Sequence, residues 1–249
     1  MALARVHGSE AGASFDILAR FESEDTRSHA EVMAPFAHAA LQEAGVRGEE
    51  LDAILTGTGP GPFTGLRAGI VTARALGFAW SVPVYGMMSL TALAERAYQE
   101  RVFAQGGGAG EAEGAELLVA SDARRREVYS ARYRVNAEGY SLVDGPTVSP
   151  ASEILPGEGP SYAYGYGAGL YAETLRELGW DLVEAGERIH PHAEYLLAAA
   201  ARRGLDALSL DTSALYLRDS DAKIPAAMLA RQQKQAARAT AQTVGQREG

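Results

Sequence analysis

The sequence predicts an α/β fold built as two layered halves, and three features carry that prediction. Between residues 51 and 101 a short apolar strand, a Gly/Pro loop, a helix, a second strand and a second helix alternate, the pattern of stacked sheet and helix layers. Residues 105–116 form a Gly/Ala/Glu run too polar to pack, and so read as a linker. Beyond it Tyr129, Ala131, Tyr133 and Val135 alternate with Ser130, Arg132 and Arg134, which opens a second half with a strand buried on one face. The expected organisation is a domain at 1–104, the linker at 105–116, a domain at 117–225 and a polar, basic tail at 226–249. That tail is Gln/Ala/Arg-rich without an apolar face and is expected to be disordered.

In chain order, Ala2 to His7 and Phe15 to Phe21 read as two strands joined by a Gly/Ala/Ser turn. From Ser28 a helical period begins, with Val32, Met33, Phe36, Ala40, Leu41 and Ala44 recurring at three and four residues. Ser28 and Glu31 form a capping-box pattern, and Gly45 fits the stop. Leu51 to Thr58 is a strand, and Gly59-Pro60-Gly61-Pro62 leads into a helix ending near Trp80. Val82 to Met88 is strand-like, and Ser89 starts a helix reaching about Arg101. Past the linker come strands at Leu117 to Ser121, Glu127 to Val135 and Ser141 to Val148. A Tyr/Gly-rich stretch at Tyr162 to Gly169 and helices at Leu170 to Leu178 and Ala193 to Arg203 complete the chain.

With 249 residues, 47% hydrophobic and 22% charged, the chain suits one or two globular domains. A chain of this size buries roughly 70% of its unfolded surface, so its core needs no staples. It has no cysteine, which excludes disulfides, thiolate metal sites and cysteine nucleophiles. Net charge is −9, but from Lys223 onward five basic residues face Glu248 alone, so residues 223–249 carry +4 and the preceding body −13. A body that acidic repels a nucleic-acid backbone, and RNA binding by this chain alone is disfavoured. Apolar stretches break well before 18 residues, and Arg5, Glu10, Asp16 and Arg20 interrupt the first 20. Neither a membrane span nor a secretory signal is expected, and the cytoplasm is the expected location.

The loop before the second helix resembles a phosphate cradle, since glycines ahead of a helix expose backbone N–H groups. Pro60 and Pro62 each lack that N–H, and no Gly-Lys-Ser/Thr follows, so nucleotide binding is not expected there. The helix itself carries Gly65, Gly69, Ala73 and Gly77 at strict i, i+4 spacing, a stripe that admits close approach of a neighbour. That neighbour is either the chain's own sheet and first helix or a partner's helix. Metal chemistry finds no support: His29 and His38 are nine apart, no His-x-x-x-His occurs, and Pro191 makes His190-Pro191-His192 a turn. Gly165, Gly167 and Gly169 lack the strand-to-helix context of an adenine loop.

The segment Ser28-His29-Ala30-Glu31 to Pro35, then Leu51-Asp52-Ala53-Ile54 and Gly59-Pro60-Gly61-Pro62-Phe63-Thr64-Gly65-Leu66-Arg67-Ala68-Gly69, closely resembles the bacterial TsaB (YeaZ) family of tRNA threonylcarbamoyladenosine synthesis. Ser121-Asp122-Ala123-Arg124, Tyr164-Gly165-Tyr166-Gly167-Ala168 and Ala214-Leu215-Tyr216-Leu217-Arg218 agree with it, and the likeness spans roughly Arg27 to Ala222. The resemblance implies an actin/sugar-kinase-like (ASKHA) pair of RNase H-like domains without catalysis or cofactor of its own. It also implies partners: the transferase TsaD in a heterodimer, the ATPase TsaE with ATP in a larger assembly, and tRNA only through that complex. A homodimer through the same face is the competing arrangement. The family's first two long helices form the dimer face. Mapped onto this chain, the expected interface comprises His29, Met33, Phe36, Phe63, Gly65, Leu66, Arg67, Gly69, Ile70, Ala73, Arg74 and Gly77.

Two departures bear on these expectations. The family opens with a strand ending Asp-Thr-Ser, for which this chain has no counterpart before Ala2, so the first domain is expected to lack its first strand and to leave two inner sheet edges unpaired. A start site placed too late in the gene is the expected explanation, and the alternative is a genuinely short form whose first domain would be poorly stable alone. Pro62 replaces the family's usual serine. The alternative function is an ATP-dependent kinase of the same superfamily or a glycoprotease-like metallopeptidase. Both are opposed by the missing Asp-Thr-Ser, the glycine-free turn Asp122-Ala123-Arg124-Arg125-Arg126-Glu127 and the missing histidine pair.

Overall fold

The computed structural model describes residues 1–8, 10–23, 29–100, 113–183 and 189–218. The cap at Ser28, most of the predicted linker and the 226–249 tail lie outside the described residues. Residues Met1–Leu217 form one compact unit.

Among the described residues the first half has two separate two-stranded sheets. β1 (Ala2–His7) and β2 (Ser14–Arg20) pair antiparallel, as the hairpin reading expects. β3 (Ile54–Gly57) and β4 (Val84–Met87) pair parallel, in register from Ile54 opposite Val84 to Gly57 opposite Met87. Helix α1 (His29–Ala44) follows β2, and α2 (Phe63–Trp80) is the crossover between β3 and β4. α2 stops at Ser81, which adopts a left-handed conformation (φ 58°) and returns its N–H to the carbonyl of Gly77.

Strand alternation fixes the layering. A Cβ added to Gly77 of α2 would run into Val84, whereas Met87 clusters with Leu196, Ala199 and Ala200 of α6 (Ala193–Arg203). Val84 and Met87 differ in parity along β4, so α2 and α6 cover opposite faces. α6 also contacts β1, β2 and β3, and α1 packs on α2 and on β1 and β2. Arg20, at the end of β2, forks onto Glu194 at 2.9 and 3.0 Å.

The second half is one five-stranded sheet of β5 (Glu116–Asp122), β6 (Val128–Asn136), β7 (Gly139–Ser149), β8 (Ser161–Tyr164) and β9 (Asp181–Leu182), in the order β7-β6-β5-β8-β9. β5, β6 and β7 are antiparallel neighbours, whereas β8 and β9 run parallel to β5. The helix expected at Leu170 to Leu178 is instead two short ones, α4 (Tyr166–Leu170) and α5 (Ala172–Glu177), broken at Tyr171. α3 (Leu90–Tyr98) joins the halves: Leu90, Leu93, Ala94 and Ala97 pack on Leu117, Val119 and Tyr133, while Ala92 meets the α6 cluster.

Tyr133 is fully buried, its ring edge-on to Tyr140 at 5.5 Å and its hydroxyl 3.3 Å from Thr91. Burial pushes its pKa up from 10.0 to about 12. The unfolded chain therefore releases this proton first. The contribution to stability is complete below pH 10 and is lost as pH climbs toward 12, up to about 3 kcal/mol. Urea unfolding between pH 9 and 11.5 should show this decline in the wild type and a shallower one in Tyr133→Phe.

Candidate functional site

The resemblance directs attention to α1 and α2, and the structure divides the residues of α2 into two arcs. Ile70, Ala73 and Gly77 are buried within the chain and do not reach an outer face. The small-residue stripe is turned inward at Gly69 and Gly77: a Cβ on Gly69 would lie 3.9 Å from the sulfur of Met33, and one on Gly77 would stand 2.8 Å from the carbonyl of Val82. The close neighbour that the glycines admit is thus the chain's own helix and sheet. Gly65, Leu66 and Met33 are half-buried at the flanks. Phe36, also half-buried, stacks on Phe21 with ring centroids 5.5 Å apart. His29 is the first residue of α1.

The outer arc of α2 is formed by Phe63, Arg67, Val71, Arg74 and Phe78. At 3.6 residues per turn, these spacings of four, four, three and four fall within about 80° of the helix circumference. Phe63, Val71 and Phe78 are 49%, 63% and 90% exposed, so apolar and aromatic side chains stand in solvent along the whole helix. Of these five, Val71 and Phe78 are absent from the sequence-derived interface. Their spacing relative to Phe63 was the available signal, but both arcs of α2 are rich in apolar residues, which hides which one faces outward.

Residues 209–217 run beside this arc. Arg67 donates from Nε to the Tyr216 hydroxyl at 2.6 Å, and its guanidinium lies 3.9 Å from the Phe63 ring centroid. Phe63 and Tyr216 are themselves 5.2 Å apart. Arg74 donates to the buried Thr212 Oγ1 at 2.6 Å. Both arginines are thereby held along the helix, preorganised between the exposed apolar side chains. The Leu215 N–H bonds to the Thr58 carbonyl at 2.8 Å, fixing this segment to the end of β3. Leu210, Leu215 and Tyr216 add exposed apolar area.

The loop ahead of α2 is committed to packing. Gly59, at φ +98°, spends its N–H on Ser89 Oγ at 3.0 Å, and its carbonyl accepts from the Ser89 N–H at 2.7 Å. A Cβ at that glycine would stand 2.8 Å from Leu66. The basic turn of the second half places Arg124, Arg125 and Arg126 all in the left-handed region. Asp122 anchors it by accepting the Arg124 N–H at 2.7 Å and pairing with its guanidinium at 3.0 Å. Burial lowers the pKa of His190, which packs on Tyr166, and His192 lies 3.5 Å from Glu22. Among the described residues no three histidine or acidic side chains gather as metal ligands, and no helix is long and apolar enough to cross a membrane.

Comparison with known proteins agrees with the resemblance. The family model for TsaD, tRNA N6-adenosine threonylcarbamoyltransferase, matches residues 16–226. A Mycobacterium tuberculosis protein described as uncharacterized is 43% identical over 133 residues, 53% of this chain and 54% of that protein. The chain spans about half the length of the mycobacterial relatives it matches. The tRNA threonylcarbamoyladenosine biosynthesis protein TsaB of Escherichia coli is 28% identical over 183 residues, 71% of this chain and 73% of TsaB. The solved structure of YeaZ from Pseudomonas aeruginosa superposes with a TM-score of 0.63 at 30% identity, covering 87% of this chain and 99% of YeaZ, so the architecture is of the ASKHA type. A likeness that covers nearly all of a solved YeaZ, together with a family match over most of the chain, establishes that this protein belongs to the TsaB/YeaZ family.

Proposed function

We propose that this protein is a non-catalytic subunit of the tRNA threonylcarbamoyladenosine machinery, which binds and supports a TsaD-type transferase through the outer arc of α2. The observation that carries this reading is the row of Phe63, Val71 and Phe78, solvent-exposed on a helix whose arginines are already held by Tyr216 and Thr212. Exposed apolar side chains alternating with fixed arginines along one helix arc have the composition of an interface centre. Membership of the TsaB/YeaZ family supports the assignment to this pathway. The absence of catalysis is supported by Gly59 N–H being spent on Ser89, by the two prolines beside it and by the glycine-free turn at 122–127. The acidic body favours contact with tRNA through the complex. In this reading TsaE joins with ATP as a third component.

Purified full-length chain mixed with TsaD from the same genome should elute as a 1:1 complex in size-exclusion chromatography with light scattering. Two folded proteins that stay apart at micromolar concentration, with and without TsaE and ATP, would overturn the assignment. Elution of the chain alone as a dimer that TsaD cannot dissociate would assign the α2 face to self-association instead.

A further inference from the structure

α2 carries two cations and no acidic residue, in a chain of net charge −9. Both cations, Arg67 and Arg74, are exposed, and both are held by uncharged groups. Each spends its Nε at 2.6 Å, on the Tyr216 hydroxyl and on Thr212 Oγ1 respectively, so the donors still open are the two terminal amino groups of each guanidinium. Among the described residues neither arginine has an acidic partner. Asp211, on the neighbouring segment, instead accepts the Ser213 N–H at 2.8 Å, and those Ser213 bonds lower its pKa more than the longer-range pull of Arg74.

Arg67 and Arg74 are seven residues apart, which sets them about 10.5 Å apart along the helix axis and within about 20° of one line around it. Val71 falls between them, and Phe63 and Phe78 lie beyond either end. The complement of this pattern is a pair of carboxylates at the same separation with an apolar side chain between them. A nucleic-acid backbone supplies anions but would set the exposed rings against phosphates, so a protein face fits better. A helix supplies all of it with acids at i and i+7 and an apolar residue at i+3 or i+4, when the axes cross at about 20°. At a crossing of about 50° the axes diverge too fast for both arginines to stay opposite one helix.

A second copy of this chain does not offer that pattern from the same face. α1 has Glu31 and Glu43, twelve positions apart, and α2 has no acid at all. Two α2 helices packed on each other would oppose arginine with arginine. The charges therefore select against self-association and for a partner of opposite sign.

We infer that α2 docks an amphipathic helix of the partner that carries Asp or Glu at two positions seven residues apart, flanking an apolar side chain that packs on Val71. Each carboxylate accepts from the open amino groups of one arginine, while Tyr216 and Thr212 hold the two guanidiniums at the required spacing. This inference rests on the proposed function, in which the helix belongs to the TsaD-type transferase.

The test is isothermal titration calorimetry of the full chain against that transferase at low and high sodium chloride. Arg67→Gln with Arg74→Gln should weaken binding at least about 20-fold at low salt and flatten its salt dependence. Tyr216→Phe with Thr212→Val keeps both charges but frees them, and should cost about 3- to 10-fold with the salt dependence of the wild type. Charge reversal then locates the helix. Acidic pairs seven apart on the transferase's helices are changed to lysine, one pair at a time, and mixed with Arg67→Glu, Arg74→Glu chain. One pair should restore at least about tenfold of the lost affinity. Wild-type affinity in the glutamine variant, a flattened salt dependence in the Tyr216 and Thr212 variant, or no rescuing pair overturns the inference. Binding that Phe78→Asp abolishes and the glutamine variant leaves intact overturns the inference alone and keeps the proposed function. Absence of binding by the wild-type chain at either salt removes both.

Discussion

Phe78→Asp should weaken association with the proposed TsaD-type partner by more than about 30-fold while leaving the fold intact. Phe78 is 90% exposed, so its replacement removes almost no packing within the chain, and stability should stay within about 0.5 kcal/mol of the wild type. At an interface the same ring becomes a central anchor. Truncating such an anchor costs about 2 kcal/mol or more, which is roughly 30-fold in affinity, and a carboxylate forced into the desolvated centre adds to it. Val71→Asp, two turns nearer the start of α2, should act in the same direction. Ala79→Asp, adjacent in sequence, provides the contrast because it lies outside the row. Isothermal titration calorimetry of the three variants against TsaD checks the prediction, with urea unfolding as the stability control. Equal affinity for Phe78→Asp and wild type would remove α2's outer arc from the interface.

The sequence was most legible where one period ruled one element. Ala193–Arg203 and Phe63–Trp80 appear with the bounds that periodicity implies, and the β1–β2 hairpin falls within a residue of its expected place. It was least legible where short pieces depend on distant ones. β9 is two residues long and is defined by pairing with β8, and α4 and α5 break at Tyr171 without a proline. The candidate site divides in the same way. Arg67 and Arg74 could be read as exposed helix positions, but their anchors lie 149 and 138 residues further along the chain, a separation no local pattern encodes. Helix α2 shows the deeper limit. Its glycine stripe and its phenylalanine row both satisfy helical spacing, and only the positions of Met33, Val82 and Val84 show which of them faces the chain's own core.

Arg202→Met should be the most destabilising single change outside the apolar core, costing about 3–5 kcal/mol. Glu95, on α3, is completely buried, and Arg202 of α6 grips both its oxygens at 2.6 and 2.9 Å while stacking 4.5 Å above Tyr98. Gln99 and the Tyr140 hydroxyl donate to the same carboxylate at 2.7 and 2.8 Å. One acidic side chain therefore ties α3 to α6 and to β7, across the join between the two halves. Losing the guanidinium strands a carboxylate in a site where neutral donors alone cannot offset its desolvation, and breaking a buried pair in this way is far more costly than never having had it. Thermal unfolding should reflect this as a fall in Tm of roughly 6–20 °C. The double variant Glu95→Leu with Arg202→Met separates charge from packing. With both charges gone it should recover more than half of the loss, although the Tyr140 hydroxyl loses its acceptor. A double variant as unstable as Arg202→Met alone would show that the ion pair's worth lies in the shape of the side chains and the Tyr140 bond. Recovery would show that these helices are joined by a charge pair that either partner makes indispensable only while the other is present.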